Sequence, residues 1–185
     1  MRAITVFELD IAIKALTQGE LIAYPTEAVW GLGCDPFNEQ AVLNLLALKQ
    51  RSVSKGLIVI GSSWEQLRAL TADISPEQLN IVLASWPGPS TWVFPIASVP
   101  SWLSGDHPSI ALRVTAHPIA KALCEAFGPL VSTSANLAGQ SPALTKDDVE
   151  AQFGAQIGLL VSGALGGLTR PTPIRDALTG QVLRE

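Results

Sequence analysis

Two hydrophobic periods alternate along this chain, and that alternation limits it to a sheet with helices laid across it. FELDIAIKAL and EQAVLNLLALK repeat their apolar residues at three and four, the spacing of a helix that buries one stripe. LIAY, LIVI, TWVFPI, SIALRV, PLVS and IGLLVS are short apolar or alternating runs bounded by glycine, proline or polar clusters, the mark of strands. Helix boundaries are legible too. Asn38 stands ahead of one helical stretch, Ser75-Pro-Glu-Gln78 has the capping-box order with proline at the first helical position, and HPIAKALCEAF is ended by Gly128. A helix around Asp147 to Phe153 and a final pair of strands split by Thr179-Gly180 complete the pattern. Interleaved helices and strands predict an α/β fold: a single domain over residues 1–185, a twisted mixed sheet with flanking helices.

Composition removes several function classes. Of the 185 residues, 48% are hydrophobic and 15% charged, enough apolar surface for one core and little sign of disorder. Two cysteines, Cys34 and Cys124, stand far apart with no C-x-x-C or Cys/His cluster, so neither a disulfide framework nor a protein metal site is expected, and a reducing, cytoplasmic setting suits them. MRAITVFELD lacks the basic start and apolar core of a signal peptide, and no run approaches the roughly 18 apolar residues of a membrane span. The net charge of −4 argues against a broad basic footprint, so an anion site has to be local. There is no G-x-x-x-x-G-K-[ST], no G-x-G-x-x-G after a strand and no G-x-S-x-G, which removes P-loop, Rossmann and nucleophile-elbow chemistry.

Six stretches concentrate the residues that remain. YPTEAVWGLG reads as a strand that breaks at Pro25 and presents Thr26 and Glu27 at its end, with Gly31 and Gly33 allowing close backbone approach. LKQRSVSKGL crowds Lys49, Arg51 and Lys55 into seven residues of a chain with only 12 Lys and Arg, either a solvated helix end or an anion site for a triphosphate or carboxylate. WPGPSTWVFP delivers Ser90 and Thr91 to the head of a strand, while Trp86 and Trp92 either pack or flank a base. SIALRV puts Arg113 near a strand end, and His107 and His117 read as turn or helix-start residues. Ser132, Thr133, Ser134 and Asn136 follow a buried strand, able to bind phosphate and ribose oxygens or simply to make turns. TRPTPIRDALTG offers Thr172, with Arg175 and Asp176 read as a surface ion pair. Cations and hydroxyls at strand ends suit phosphate chemistry by positioning and charge.

In this order the motifs resemble the YrdC/TsaC family of threonylcarbamoyl-adenylate synthases: YPTEAVWGLG, LKQR with Lys55, WPGPST, LRV with His117-Pro118, STSAN, and IRD, across essentially the whole chain. The resemblance implies a YrdC-like twisted sheet with a concave, positively charged cleft. It implies a nucleotidyltransferase joining L-threonine, bicarbonate and ATP, with Mg2+, into threonylcarbamoyl-AMP and pyrophosphate, ahead of threonylcarbamoyladenosine formation on tRNA by a downstream transferase complex. Lys49, Arg51 and Lys55 would then steady phosphates, with Thr26, Glu27, Thr91, Arg113, Ser132, Thr133, Ser134, Asn136 and Thr172 around the substrates. This chain departs from the broader family at Ala28, where a threonine is common, and at Thr172-Pro173, where longer relatives place serine. The alternative reading is an RNA-binding module for duplex RNA, tRNA or a ribosome precursor, which needs a broad basic surface and a steep salt dependence.

Overall fold

The computed structural model describes residues 4–185, so the first three residues of the expected domain lie outside the described residues. Its elements run α1 (Val6–Thr17), β1 (Ile22–Pro25), β2 (Trp30–Gly33), α2 (Glu39–Leu48), β3 (Ile58–Gly61), α3 (Trp64–Leu67), α4 (Pro76–Ala84), β4 (Thr91–Pro95), α5 (Ser101–Ser104), β5 (Ser109–Val114), α6 (Pro118–Phe127), β6 (Leu130–Ser134), α7 (Lys146–Phe153), β7 (Leu159–Leu160), β8 (Ile174–Asp176) and β9 (Val182–Arg184).

The helix starts have local causes. Asn38 accepts the Ala41 amide ahead of α2, and Ser75 and Gln78 cap each other's backbone groups at the head of α4. Thr5 and Glu8 do the same for α1, and Thr145 and Asp148 for α7. Each box satisfies donors that a helix start otherwise leaves open, worth about 0.5–2 kcal/mol per cap.

The strands form one mixed sheet in the order β7-β1-β2-β6-β3-β5-β4-β8-β9, parallel at β1–β7, β3–β5 and β4–β8 and antiparallel elsewhere. Its two faces bury separate cores. Ala23, Leu32, Val59, Trp92, Phe94, Leu112 and Val131 face a large cluster with residues of α2, α4, α5 and α7. Ile22, Tyr24, Ile60 and Leu130 face a smaller one closed by α1 and α6. Along each strand the assignment alternates, as the pleat requires.

The structure decides four readings that the sequence left open or placed differently. WGLG, beyond the break at Pro25 and without an assignment from the sequence, forms β2, which returns antiparallel to β1 with Tyr24 opposite Gly31. β6 runs on through Thr133 and Ser134, which read as loop, because β2 pairs with them. Of the two roles open to the tryptophans, packing holds: Trp86 packs with Trp64 and Phe94, ring centroids 5.4–6.1 Å apart, and Trp92 joins the same core. Asp176 does not serve Arg175: its Oδ1 accepts the amides of Leu178 and Thr179 and holds the turn between β8 and β9.

Candidate functional site

Strand alternation builds a cavity on the face that α1 and α6 share. On β5, Ile110, Leu112 and Val114 point into the large core, so Ser109, Ala111 and Arg113 point the other way. The same parity sends Val93 of β4, Ile58 of β3, and Ser132 and Ser134 of β6 to this face. Helices α1 and α6 pack over the β1–β3 side, and beyond them the face opens into a cavity of about 480 Å³, within the range of about 300–1,000 Å³ usual for small-molecule sites.

Among the described residues four cationic side chains line it, Arg51, Lys55, Arg113 and Arg184, and no carboxylate does. In a chain of net charge −4 this is a local concentration of positive charge. Arg51 and Lys55 come from the loop between α2 and β3. Gln50 turns the chain out of α2 at φ 52°, Ser52 accepts the Ser54 amide, and Arg51 Nη2 donates to the Gly56 carbonyl at 3.0 Å. Gly56 has φ 62° and its backbone lies against Ser104, where a Cβ would stand 2.9 Å from the carbonyl oxygen, so this turn needs glycine. Burial, then the nearby charge of Arg184, lowers the Arg51 pKa.

Beneath the cavity lies a buried ionic chain. Arg113 Nη1 stands 3.4 Å from Glu27 Oε2, both side chains 8% exposed. Thr115 donates to Glu27 Oε1 at 2.8 Å, and Arg113 reaches the Thr172 hydroxyl, which meets that of Thr91 at 3.1 Å. Burial alone would raise the Glu27 pKa, but the Arg113 guanidinium and the Thr115 hydroxyl outweigh it and hold the carboxyl below its usual range.

Of the residues singled out in the sequence, Thr26, Arg51, Lys55, Arg113, Ser132, Thr133, Ser134 and Thr172 line the cavity. Glu27, Lys49, Thr91 and Asn136 stand behind its wall. Lys49 ends α2 and gives its ammonium to the carbonyls of Ser134 and Asn136, the latter at 2.7 Å. Burial, then the Arg51 charge, lowers its pKa to about 8. Asn136 turns its amide back onto the carbonyls of Leu137 and Gln140 and accepts from the Ser134 hydroxyl. Lys49 and Asn136 thus hold the end of β6, which carries Ser132 to Ser134, and the turn that follows it.

Arg184 and Ser109 also line the cavity and escaped sequence reasoning, and His107, read there as a turn or helix-start residue, lines it too. Arg184 Nη2 donates to the Thr172 carbonyl at 3.1 Å. Nothing within VLRE marks that arginine; only the sheet order, which folds β9 back against β8, brings it to the site.

Comparison with known proteins gives a consistent set of likenesses. The family described as Sua5_yciO_yrdC, "Telomere recombination", matches residues 14–185. A threonylcarbamoyl-AMP synthase of Xanthomonas campestris pv. campestris (strain B100) is 53% identical over 182 residues, 96% of this chain and 97% of the relative. Another, of Coxiella burnetii (strain RSA 493 / Nine Mile phase I), is 53% identical over 95% of this chain and 96% of its own. Among solved structures, P. abyssi Sua5 carrying H234A/Y235A superposes with a TM-score of 0.91 at 30% identity over 97% of this chain. P. abyssi Sua5 complexed with L-threonine gives 0.84 at 32% identity over 91% of this chain. The chain spans about half of those Sua5 chains, 56% and 51% of their lengths. E. coli YciO shares the fold, at a TM-score of 0.85 and 24% identity, over 96% of this chain and 88% of its own.

Proposed function

The chain belongs to the Sua5/YciO/YrdC family, and from that premise we propose that it performs the reaction its relatives are named for, joining L-threonine, bicarbonate and ATP into threonylcarbamoyl-AMP and pyrophosphate. The observation that carries this reading is the lining of the cavity, four cations and no carboxylate over a floor of hydroxyls and apolar groups. Such a lining accepts a multiply charged phosphate tail at one side and a neutral, partly apolar group at the other. The L-threonine held by the 32% identical Sua5 supports the same reading.

The threonine amine takes up the carbon dioxide that bicarbonate gives up, forming the N–C bond of a carbamate, while the hydroxide lost from bicarbonate and the proton lost from the amine leave as water. A carbamate oxygen then attacks the α-phosphorus of ATP, and the bond to the bridging oxygen breaks, so that pyrophosphate leaves with the electron pair: a nucleotidyl transfer. Charge grows on the leaving oxygen, and Arg51, Lys55 and Arg184 are the groups preorganised to meet it. Arg113, aimed by Glu27, takes an anionic oxygen of threonine or nucleotide, while Thr26, Ser132, Thr133, Ser134 and Thr172 offer neutral hydrogen bonds that orient the two reactants. Lys49, Asn136, Glu27 and Thr91 support these side chains from behind. The product passes to threonylcarbamoyl transfer onto tRNA.

Magnesium is held in such sites by one or two carboxylates together with substrate phosphates. Among the described residues no carboxylate lines the cavity, and the two oxygens of Glu27 are turned to Thr115 and Arg113, so these lining residues supply no ligand set for it. Magnesium enters this reaction as the ion that ATP carries on its phosphates.

The test is pyrophosphate release from MgATP and bicarbonate, with and without L-threonine and with serine as control. Release that requires threonine and bicarbonate together is expected. Folded protein that releases none overturns the assignment.

A further inference from the structure

A strap of chain, residues 161–173, crosses from β7 to β8 and brings Pro171 and Thr172 to the cavity. It has no regular structure, so its backbone groups must find partners elsewhere. Gly166 N–H donates to the Thr26 carbonyl at 3.0 Å and Leu168 N–H to the Glu27 carbonyl at 2.9 Å, so the strap lies directly on the turn that carries the site's first residues. A Cβ at Gly166 would stand 2.8 Å from Glu27 Cα, and one at Gly163 would overlap Ile119. At its far end the strap is held by Arg113 on Thr172 Oγ1 and by Arg184 on the Thr172 carbonyl. At its near end Val161 N–H donates to the Ala23 carbonyl at 2.8 Å, and beyond it the side-chain contact is His117, whose Nε2 lies 3.1 Å from the carbonyl oxygen of Ala164.

His117 is 2% exposed, at the N-cap of α6, and contributes no side-chain cap there. A carbonyl oxygen only accepts, so Nε2 carries a proton. Nδ1 is buried with no hydrogen-bond partner and keeps its lone pair. The ring is therefore a neutral imidazole with its one N–H spent on the strap, and burial, opposed by that hydrogen bond, lowers its pKa. Its own backbone N–H donates to Thr115 Oγ1, the hydroxyl that donates to Glu27. One residue thus ties the strap to the ionic chain under the cavity.

We propose that His117 is a positioning residue: its Nε2–H fixes the strap against Thr26 and Glu27 and so places Thr172 and the strap's share of the cavity wall for substrate binding. The site role rests on the function proposed above; the anchoring does not. Because the strap forms wall rather than contributing a reacting group, its displacement weakens substrate and transition state alike, which raises KM with little change in kcat.

The experiment compares His117→Leu, which removes the donor, with His117→Gln, whose amide N–H can take the place of Nε2–H. Amide hydrogen exchange at Gly166 and Leu168 is read beside KM and kcat for threonine-dependent pyrophosphate release. In His117→Leu these two amides should exchange at least roughly tenfold faster while α6 keeps its protection, and KM should rise roughly three- to tenfold with kcat within about twofold. His117→Gln should restore both. Unchanged exchange at Gly166 and Leu168 in His117→Leu, equal acceleration throughout α6, or a folded His117→Gln that restores neither reading overturns the proposal. Should His117→Leu not fold, His117→Gln must by itself retain strap protection and KM. Gly166→Ala, which lifts the strap from Glu27 without touching His117, must raise KM the same way. Faster strap exchange in a protein whose wild type releases no pyrophosphate would sink the assigned reaction and leave the anchoring intact.

Discussion

Glu27 is a buried carboxylate behind the wall of a cavity lined by cations, and among the described residues it is ion-paired with Arg113, whose guanidinium also faces the cavity. In the reaction proposed above, it aims Arg113 and offsets that charge. Glu27→Gln keeps the shape but leaves the guanidinium uncompensated, and removing one partner of a buried pair costs about 3–5 kcal/mol. Urea denaturation at neutral pH should show a loss of that order. The pH dependence has a definite sign. The folded pKa lies below the ordinary value of 4.5, so the stabilisation is present above that value and disappears as pH falls through the lower, folded one. The wild type should lose stability across that acid window, and Glu27→Gln should show a flatter acid limb there.

Elements were legible where their causes are local. A capping box spans four residues, and α1, α2, α4 and α6 start within a residue or two of their signals. β2 was hidden because its reason lies across the sheet. Gly31 and Gly33 weaken strand propensity taken alone, yet the ring of Tyr24 lies over them from β1. A Cβ at Gly33 would stand 2.6 Å from the Val131 carbonyl oxygen and 2.9 Å from the Tyr24 ring. Gly33→Ala should therefore cost about 1–3 kcal/mol in chemical denaturation, a penalty of overpacking rather than of backbone strain. The site divides in the same way. Runs of hydroxyls and cations could be picked out from composition, but which of them face the cavity is decided by strand parity and by neighbours. Lys49 and Arg51 are two residues apart, yet one ties down the Ser134–Asn136 loop and the other lines the cavity. α5, four residues long, is too short to show a period at all.

At the scale of the whole molecule the balance of charge separates the two readings of the sequence. The net charge is −4, with 12 Lys and Arg in the chain, and among the described residues four of these cations line one cavity. A ligand that enters that cavity stabilises the native state by mass action, about 2.7 kcal/mol at a hundredfold excess over Kd. MgATP should raise the unfolding midpoint accordingly, whereas duplex RNA or tRNA should bind weakly and without the steep salt slope of a multi-phosphate footprint. Thermal unfolding with MgATP and a filter-binding titration over salt measure the two. Tight, salt-sensitive tRNA binding with no shift from MgATP would reverse the assignment.

The cavity takes Thr26 from one end of the chain and Arg184 from the other, with β3, β4, β5 and β6 supplying the floor between them. Few of these contacts are close in sequence, so chain entropy delays the closing of the site until the sheet order is complete. Recovery of nucleotide binding is thus a late clock for refolding. Helical signal, which needs only neighbouring residues, should return first, and no stretch of the chain taken alone should hold the nucleotide.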